Sequence, residues 1–411
     1  MNKKVPKGWK MGKFSDLAKV TNGYAFQSSD FVEKTSTSLP VIKMNSLKRG
    51  HINLSNAVYV KEETVKQLEK FLLTRGDFVF GMSGSISNFA VIKKKDGACY
   101  QNQRVGRLSP LNSSSEFVSQ LFLSESVTQQ IKSLAAGGAQ INISSNQIEN
   151  LEILNPPIEE QKKIGSILTS VDDVIEVTQK QIDKLQDLKK ATMNELLSNG
   201  IGHTDFKESE LGRIPKSWDV RQYCDLVTVE MHKISFNDRN YYAPVIVRRR
   251  HNGVETRGEK LGSSILVKTQ YKALPDTFLI SKRQIFHGSC GIVPKNIGKN
   301  AIISKEYLSL KTNDLMDLRF LNYFSRTQNF QNQIIRTTYG VNEEKFVFKD
   351  QWWMKERIVC PPKDEQIKIC EILDGMDTHL NSVKSKLAQT ESLKKSLMKD
   401  LLIGKVRVKV N

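Results

Sequence analysis

A chain of 411 residues is long enough to form two or three domains with cores of their own. Its formal net charge of +18 is high for an ordinary cytosolic enzyme and suggests a polyanionic partner such as DNA or RNA. No apolar run approaches the length of a membrane span, and the lysine-rich N-terminus lacks the apolar core of a secretory signal, so we predict a cytoplasmic protein with no membrane partner.

The cysteine and histidine residues do not indicate a disulfide framework or a metal site. The five cysteines are isolated along the chain and include no Cys-x-x-Cys pair, so they predict reduced thiols. The six histidines are scattered, without the spacings that metal ligands show. We therefore expect this chain itself to bind no metal ion and no cofactor.

Residues 1–155 form a first variable segment. Runs of β-forming residues separated by Gly, Asn and Ser predict strands at Leu39–Met44, Asp77–Met82, Phe89–Lys93 and Arg104–Ser109. A helical period of apolar residues predicts one amphipathic helix over Ser114–Leu134. The three lysines from Lys93 to Lys95 predict an exposed hairpin tip. A short strand then leads into the next element.

Residues 156–200 are the most regular part of the chain, and this part occurs twice. Each copy opens on Pro-Pro-x-x-Glu-Gln, at Pro156 and at Pro361, and an offset of 205 residues aligns the two copies without a gap. Proline is tolerated in the first turn of a helix, and Gly200 and Gly404 stand where a left-handed residue would end one. The repeat predicts two helices of about 40 residues, each near 60 Å long.

Apolar side chains recur in both copies at alternating steps of four and three residues, which is the pattern of a coiled-coil seam. The predicted seam comprises Ile164, Leu168, Val171, Ile175, Ile182, Leu185 and Leu196 in the first copy and Ile369, Leu373, Met376, Leu380, Val383, Leu387, Leu397 and Leu401 in the second. Because the pattern recurs at the same positions, we predict that the two helices pack on each other. The alternative is two amphipathic helices that pack on separate cores.

Residues 213–360 repeat the plan of the first variable segment. The opening Ile-Pro-Lys-Ser-Trp218 matches Val-Pro-Lys-Gly-Trp9 at an offset of 209 residues. Strands are predicted at Ala243–Val247, Thr277–Ile280, Gly291–Pro294 and Ala301–Ser304, and a helix over Leu315–Arg336. Residues 201–212, rich in Gly, Asp and Glu, predict a linker between the first long helix and this second variable segment.

Polar clusters between the predicted strands are the candidate nucleic-acid contacts. Arg and Lys suit guanine, Asn and Gln suit adenine, and all of these side chains can bind phosphate instead. The candidates are Asn22, Tyr24, Gln27, Lys43, Asn45, Ser83, Ser85, Asn88, Gln101, Asn102 and Arg104 in the first variable segment, and Arg248, Arg249, Arg250, His251, Lys282, Arg283, Gln284, His287, Tyr339 and Asn342 in the second. The alternative for each is a solvated loop or a phosphate contact without sequence information. The three consecutive arginines are the strongest candidates for DNA contact of either kind.

The chain lacks the complete motifs of enzymes that act on nucleic acids. The run from Asn155 to Ile158 resembles the Asn-Pro-Pro-aromatic motif of adenine methyltransferases, but the aromatic residue and a Gly-rich cofactor loop are missing. Gly253–Lys260 has the glycine spacing of a P-loop, but Glu259 stands where the lysine is required, so a turn is predicted. Asp276 with Lys282 lacks the rest of a nuclease motif. We predict no catalytic residue in this chain.

The sequence is similar to the specificity (S) subunits of Type I restriction-modification systems. The resemblance rests on Pro-Pro-x-x-Glu-Gln at the start of both long helices, on the run Phe206–Trp218, and on the two-fold plan, and it covers nearly the whole chain. It implies an α+β protein with two mixed α/β target recognition domains, 1–155 and 213–360. Two conserved helical regions, 156–200 and 361–411, would separate them as an antiparallel coiled coil, giving a pseudo-two-fold internal repeat.

The resemblance also implies function and partners. Each target recognition domain would read one half of a bipartite site in double-stranded DNA, while the helices set the spacer and dock two methyltransferase (M) subunits. Motor-nuclease (R) subunits would join the full complex, and S-adenosylmethionine, ATP and Mg²⁺ are expected in those partners. The chain itself would be non-catalytic. Two alternatives remain from the sequence: a complete nuclease or DNA methyltransferase with an unrecognised active site, or a basic coiled-coil scaffold that binds RNA.

Overall fold

The computed structural model describes residues 5–48, 50–83, 88–134, 142–340 and 346–410. The chain divides into two compact units. The first unit joins Met1–Lys180 to Ser385–Asn411, and the second unit is Gln181–Lys384. Each unit contains a globular part together with one half of each long helix.

Two sheets form the globular part of the first unit. The antiparallel four-stranded sheet has the spatial order Phe89–Val91, Phe78–Gly81, Val105–Pro110 and Ala18–Asn22. The five-stranded sheet has the order Phe31–Val32, Val58–Val60, Leu39–Ile42, Cys99–Gln101 and Leu72–Leu73. Leu39–Ile42 and Cys99–Gln101 run parallel, whereas the other pairs of this sheet are antiparallel. Two further pairs join Lys10–Lys13 to Glu152–Asn155 and Leu47–Lys48 to His51–Ile52.

The second unit repeats this strand order. Given in the same direction as in the first unit, the strands of its four-stranded sheet are Cys290–Ile292, Phe278–Ser281, Tyr307–Thr312 and Val227–Val229. The strands of its other sheet are, in order, Val254–Thr256, Tyr241–Val247, Ala301–Ser304 and Gln270–Lys272. A fifth strand, Lys260–Leu261, also pairs with Tyr241–Val247. Here too the two central strands, Tyr241–Val247 and Ala301–Ser304, run parallel. Asp219–Gln222 pairs with Arg357–Cys360, and Thr338–Tyr339 pairs with Val347–Phe348.

The single helix predicted in each variable segment is two helices, and this prediction was wrong. Helices occur at Ser115–Phe122 and Glu125–Leu134 in the first unit and at Leu318–Phe324 and Gln328–Arg336 in the second. The break has a local cause, because a hydroxyl residue caps the start of each second helix. Thr327 Oγ1 accepts a hydrogen bond from Phe330 N, and Ser124 Oγ accepts one from Val127 N, both at 3.3 Å. Shorter helices occupy Glu62–Val65, Ser145–Glu149 and Asp350–Trp353.

The segment predicted as a linker is partly ordered as a β-hairpin. Phe206–Ser209 pairs antiparallel with Gly212–Pro215, so the hairpin spans the end of the predicted linker and the start of the second variable segment. Gly212 has a φ of +93°, which explains why glycine follows the turn. The Arg213 guanidinium carbon lies 4.4 Å from the centroid of the Phe206 ring and braces the two strands.

The long helices occupy Ile158–Asn199, with 42 residues, and Lys363–Leu401, with 39. The first ends at Gly200, whose φ is +68°, as a left-handed cap requires. Every predicted seam residue is buried or half-buried. The ends of the seam also complete the cores of the globular parts: Ile164, Leu168 and Leu401 cluster with Phe117 in the first unit. The seam helices therefore pack on the globular cores as well.

Equivalent contacts anchor the globular part to the helices in each unit. In the first unit, the buried Glu160 accepts from Trp9 Nε1 at 3.2 Å and from Arg407 Nε at 2.9 Å. Hydrogen bonding to Arg407 lowers the pKa of Glu160. In the second unit, Glu365 accepts from Trp218 Nε1 at 2.9 Å and lies 2.8 Å from His203 Nε2. The Glu of Pro-Pro-x-x-Glu-Gln thus meets the Trp that opens each variable segment.

The Gln of the same motif closes a second buried contact. Gln161 donates to Asn155 Oδ1 and to the Pro156 carbonyl, both at 3.0 Å, and accepts from Ser114 N at 3.1 Å. Gln366 likewise donates to the Pro361 carbonyl at 2.8 Å and accepts from Asp317 N at 2.8 Å. Buried amides with this many partners fix the start of each long helix against the N-terminus of an earlier helix, Ser115–Phe122 in the first unit and Leu318–Phe324 in the second.

Candidate nucleic-acid interface

Three segments that carry predicted DNA contacts meet at one edge of the first unit. Tyr24 N donates to the Gln101 carbonyl at 2.9 Å, and Gln103 N donates to the Tyr24 carbonyl at 2.8 Å. Asn102 N donates to the Ile42 carbonyl, which brings the end of the parallel strand pair to the same place. Gly23 permits this approach, because a Cβ there would lie 2.2 Å from the Gln101 carbonyl oxygen.

The predicted residues of this edge differ in exposure. Asn22, Tyr24, Gln27, Asn45 and Arg104 are exposed, Lys43 and Asn88 are half-buried, and Ser83, Gln101 and Asn102 are buried. Ser85 lies outside the described residues. Tyr24 adds an aromatic surface, since its ring centroid lies 4.9 Å from that of Phe26 and 5.6 Å from that of Phe71. Bases can stack on aromatic side chains of this kind when DNA is deformed or single-stranded.

Gln101 is a structural residue, in contrast to the prediction from its polar neighbours. Its side chain is fully buried, and Nε2 donates to the carbonyls of Thr21 and Val105 at 2.8 and 2.7 Å. The amide joins the two sheets of the first unit. A group enclosed in this way is not presented to a ligand at the surface.

The second unit brings its predicted contacts together around one turn. The turn Arg248–Asn252 follows the strand Tyr241–Val247, at the end of the parallel strand pair. Arg250 N donates to the His287 carbonyl and His251 N to the Gly288 carbonyl, both at 2.8 Å. Arg249 Nε donates to Gln284 Oε1 at 2.7 Å. Residues from two separate stretches of the sequence therefore form one surface.

Several of the predicted cations in the second unit are already paired with carboxylates. Arg248 contacts Glu255, with Nε at 2.7 Å from Oε1. Lys282 Nζ lies 2.5 Å from Asp350, and Arg283 Nε lies 2.7 Å from Glu306. Internal pairing reduces the net attraction that these cations exert on a phosphate backbone.

Tyr339 is exposed and belongs to the hairpin Thr338–Tyr339 with Val347–Phe348. Lys349 Nζ lies 4.8 Å from the centroid of the Tyr339 ring. The sequence prediction missed Lys349, because the lysine is ten residues from the tyrosine and only the hairpin brings them together. Asn342 lies outside the described residues.

The buried cysteines near these surfaces are not activated as nucleophiles. Burial raises the pKa of the Cys99 and Cys290 thiols to about 12, so both are protonated near neutral pH. Across the described ranges, no group of three or more His, Cys, Asp or Glu side chains could hold a metal ion. Asn155, from the methyltransferase-like motif, accepts the hydrogen bond from Gln161 and acts in the helix start. The arrangement suits polyanion binding.

The helices that the structure describes include none with the length and apolar character needed to cross a membrane.

The comparisons with known proteins agree with this arrangement. A family model described as the Type I restriction modification DNA specificity domain matches residues 6–187. The chain is 25% identical over 421 residues to the putative type I restriction enzyme MjaX specificity subunit of Methanocaldococcus jannaschii, covering 98% of this chain and 95% of that protein. The MjaVIII specificity subunit of the same organism is 24% identical over 432 residues, covering 99% and 95%.

A solved structure shares the fold. The S subunit of a Type I restriction-modification system from M. genitalium superposes with a TM-score of 0.59 and 14% identity, covering 100% of this chain and 98% of that chain. The predicted α+β class is confirmed by this likeness and by the sheets and helices described above.

Proposed function

We propose that this chain is a specificity subunit of a Type I restriction-modification system, as the family model and the relatives indicate, and that each of its two units reads one half of a bipartite DNA site. The observation that carries this proposal is the repetition of the interface. In both units a polar, partly basic cluster begins directly after a strand of the parallel pair. These strands are Leu39–Ile42 and Cys99–Gln101 in the first unit and Tyr241–Val247 in the second. Two equivalent readers in one chain suit a site made of two half-sites.

The two units present different side chains at equivalent places, which supports independent reading. The cluster of the first unit is mainly Asn, Gln and Tyr, whereas that of the second is mainly Arg and Lys. Asn and Gln can bond adenine through two atoms, and Arg can bond guanine in the same way. Each half-site would then have its own base sequence.

Docking of two M subunits is the second part of the proposal. Leu188 and Leu393 occupy equivalent positions, 205 residues apart, and are 55% and 53% exposed. Each lies one residue before a lysine, Lys189 or Lys394, that pairs with an aspartate of the other long helix. A large apolar side chain exposed at the same position of each helix suits two copies of one partner.

Catalysis would belong to the partners. The relatives carry the name of specificity subunits. We therefore propose that S-adenosylmethionine binds the M subunits, that ATP and Mg²⁺ act with the R subunits, and that the complex works in the cytoplasm. A nuclease or methyltransferase within this chain, or an RNA scaffold, has no supporting observation in the described residues.

The test is an exchange of recognition residues followed by methylome sequencing. Residues 213–355 are replaced by the equivalent part of another specificity subunit, and cells express the chimera with the M subunit. We expect one half of the methylated site to change while the other half is retained. A chimera whose whole site changes, or whose site is unchanged, would contradict independent reading.

Docking has its own test with a matched control. Leu188→Glu and Leu393→Glu should each remove one M subunit from the assembled complex, as counted by native mass spectrometry. Val177→Glu is the control, because Val177 is 65% exposed on the same helix but its equivalent position is Ser382. A complex that saturates at one M subunit with the unaltered chain would contradict the proposed stoichiometry.

A further inference from the structure

Arg250 and His251 adopt a backbone conformation that residues with a Cβ rarely take. Their φ angles are +59° and +53°. Positive φ at two consecutive residues is typical of the type I′ hairpin turn, in which Asn and Gly are the favoured residues. Arginine and histidine are unfavourable there because the Cβ approaches the backbone. The surrounding contacts must therefore hold this turn in place.

Backbone hydrogen bonds supply part of that support. Arg250 N and His251 N both donate to the segment His287–Gly288, and Arg248 N donates to the Gly253 carbonyl at 2.9 Å. Asn252 Nδ2 adds a bond to the Arg249 carbonyl at 3.0 Å. The turn is thus attached to a neighbouring loop as well as closed on itself.

The His251 imidazole supplies the rest. Nδ1 lies 3.6 Å from Cys290 Sγ, and a Cβ at position 288 would come within 2.8 Å of Nε2, so the ring packs closely against Gly288. Burial, with a smaller effect of Arg326, lowers the pKa of His251 to about 4. The imidazole is therefore neutral near pH 7. It acts as a packing group, in contrast to its prediction as a DNA contact.

The three arginines of the turn are not equivalent. Arg248 is paired with Glu255, and Arg249 donates to Gln284. Arg250 is exposed, and among the described residues it has no ion-pair partner. The contacts of its two neighbours hold the turn, while the Arg250 guanidinium projects from it.

We propose that His251 is a positioning residue that holds Arg250 for a bidentate contact with a guanine in the half-site read by the second unit. The inference rests on the proposed function. A phosphate contact needs only a positive charge, which a flexible lysine supplies equally well. A planar guanidinium on a fixed, unfavourable turn instead suits the two acceptors of a guanine edge.

The experiment uses the full chain assembled with its M subunits and duplexes randomised within the second half-site. Arg250→Lys keeps the charge and removes the planar fork. We expect discrimination at one guanine position to fall roughly 5- to 100-fold, with the salt dependence unchanged. Arg239→Lys is the control, because Arg239 is exposed in the same unit but precedes the opposite end of the strand Tyr241–Val247, about 20 Å away.

His251→Gly tests the positioning role. Glycine accepts the positive φ, so the substitution removes the imidazole without adding strain. We expect discrimination to fall at the same base pair as in Arg250→Lys, with the first half-site unaffected. His251→Asn should retain part of the base discrimination that His251→Gly loses, because asparagine tolerates positive φ and keeps a polar group.

Three other outcomes would overturn the inference. If Arg250→Lys leaves discrimination intact while Arg250→Ala only lowers the salt dependence, Arg250 contacts phosphate and the inference is wrong. If His251→Gly lowers the melting temperature and weakens both half-sites equally, His251 is merely structural. A wild-type complex without any base preference in the randomised half-site would overturn the proposed function itself, and the inference with it.

Discussion

Lys394 Nζ lies 2.6 Å from Asp172 Oδ1 and joins the two long helices within the first unit. The equivalent pair in the second unit joins Lys189 to Asp377, with the acidic and basic residues exchanged between the helices. In both pairs the residue numbers sum to 566, as expected for antiparallel helices that share one register. The offset of 205 residues converts one pair into the other, so the ion pairs follow the pseudo-two-fold repeat.

Charge reversal tests this register. Asp172→Lys places two lysines together, and we expect the melting temperature to fall by about 2–4 °C, since a partly exposed pair contributes no more than about 1 kcal/mol. Adding Lys394→Asp should recover the part of that stability that comes from the ion pair, but not the part that comes from the hydrogen bond of Gln120 Nε2 to Asp172 Oδ2. Circular dichroism melts of the single and double variants measure both effects. A double variant no more stable than the single would show that the two residues do not interact in solution.

The hydrogen bonds of Glu176 predict that the stability of the folded chain depends on pH. Hydrogen bonds from Lys180 and Lys93 lower its pKa from 4.5 to about 2. A carboxylate with a depressed pKa stabilises the folded chain above its unfolded pKa, and this contribution disappears as the pH falls from about 4.5 towards 2. Between about pH 5 and about pH 3, the melting temperature of Glu176→Gln should therefore fall less than that of the unaltered chain.

Glu371→Gln is the matched control for that measurement. Glu371 is exposed on the other long helix and forms no ion pair among the described residues. Its variant should follow the unaltered chain across the same pH range. Identical acid sensitivity of the two variants would contradict the role assigned to Glu176.

Lys93 shows how far the sequence could be interpreted at one site. The run of three lysines predicted an exposed tip, and Lys94 and Lys95 are exposed. Lys93 itself is half-buried and contacts Glu176, which lies 83 residues further along the chain. A local pattern predicts a turn, but it carries no information about which distant carboxylate the turn meets.

The contacts of Glu160 with Trp9 show the same limit of sequence-based prediction, here for residues whose motifs were recognised. The repeats at offsets of 205 and 209 residues marked Glu160 and Trp9 as members of two repeated motifs. Their hydrogen bond could not be predicted, because it depends on how the globular part packs on the helix. Burial of Gln101 was missed for a similar reason: the close approach at Gly23 encloses a side chain that sequence alone assigns to a polar surface.

The salt dependence of DNA binding will distinguish phosphate contacts from internal pairing for the arginines of the turn Arg248–Asn252. Replacing both Arg248 and Arg249 by Ala should weaken DNA binding and lower the slope of log K against log salt by about one for each phosphate that the two arginines neutralise. Titration of labelled duplex at several salt concentrations gives the slope. An unchanged slope would mean that these arginines serve the turn, through Glu255 and Gln284, and leave the phosphates to other residues.

We also expect the isolated chain to have no catalytic activity. The purified chain should neither cleave duplex DNA nor transfer a methyl group from S-adenosylmethionine, and addition of the M subunit should restore methylation. Activity in a sample free of M and R subunits would contradict the assignment of catalysis to the partners.

The length of the long helices should set the spacer between the half-sites. Within the second unit, the ion pair of Lys189 with Asp377 places position 185 of the first helix level with position 381 of the second, so four residues inserted at both places lengthen the pair without shifting it. The extension is about 6 Å, and four residues keep the helical faces nearly in phase, since a turn takes about 3.6 residues. Duplex DNA rises about 3.4 Å per base pair.

We therefore expect the methylated site to gain about one or two base pairs of spacer, with both half-sites unchanged. Insertion of two residues at the same places is the control, because it rotates the helical faces by about 200° and should disrupt packing and assembly. Methylome sequencing of cells that express each variant with the M subunit gives the spacer directly. A four-residue variant that still methylates the site with the original spacer, and none with a longer spacer, would show that the helices do not set the distance.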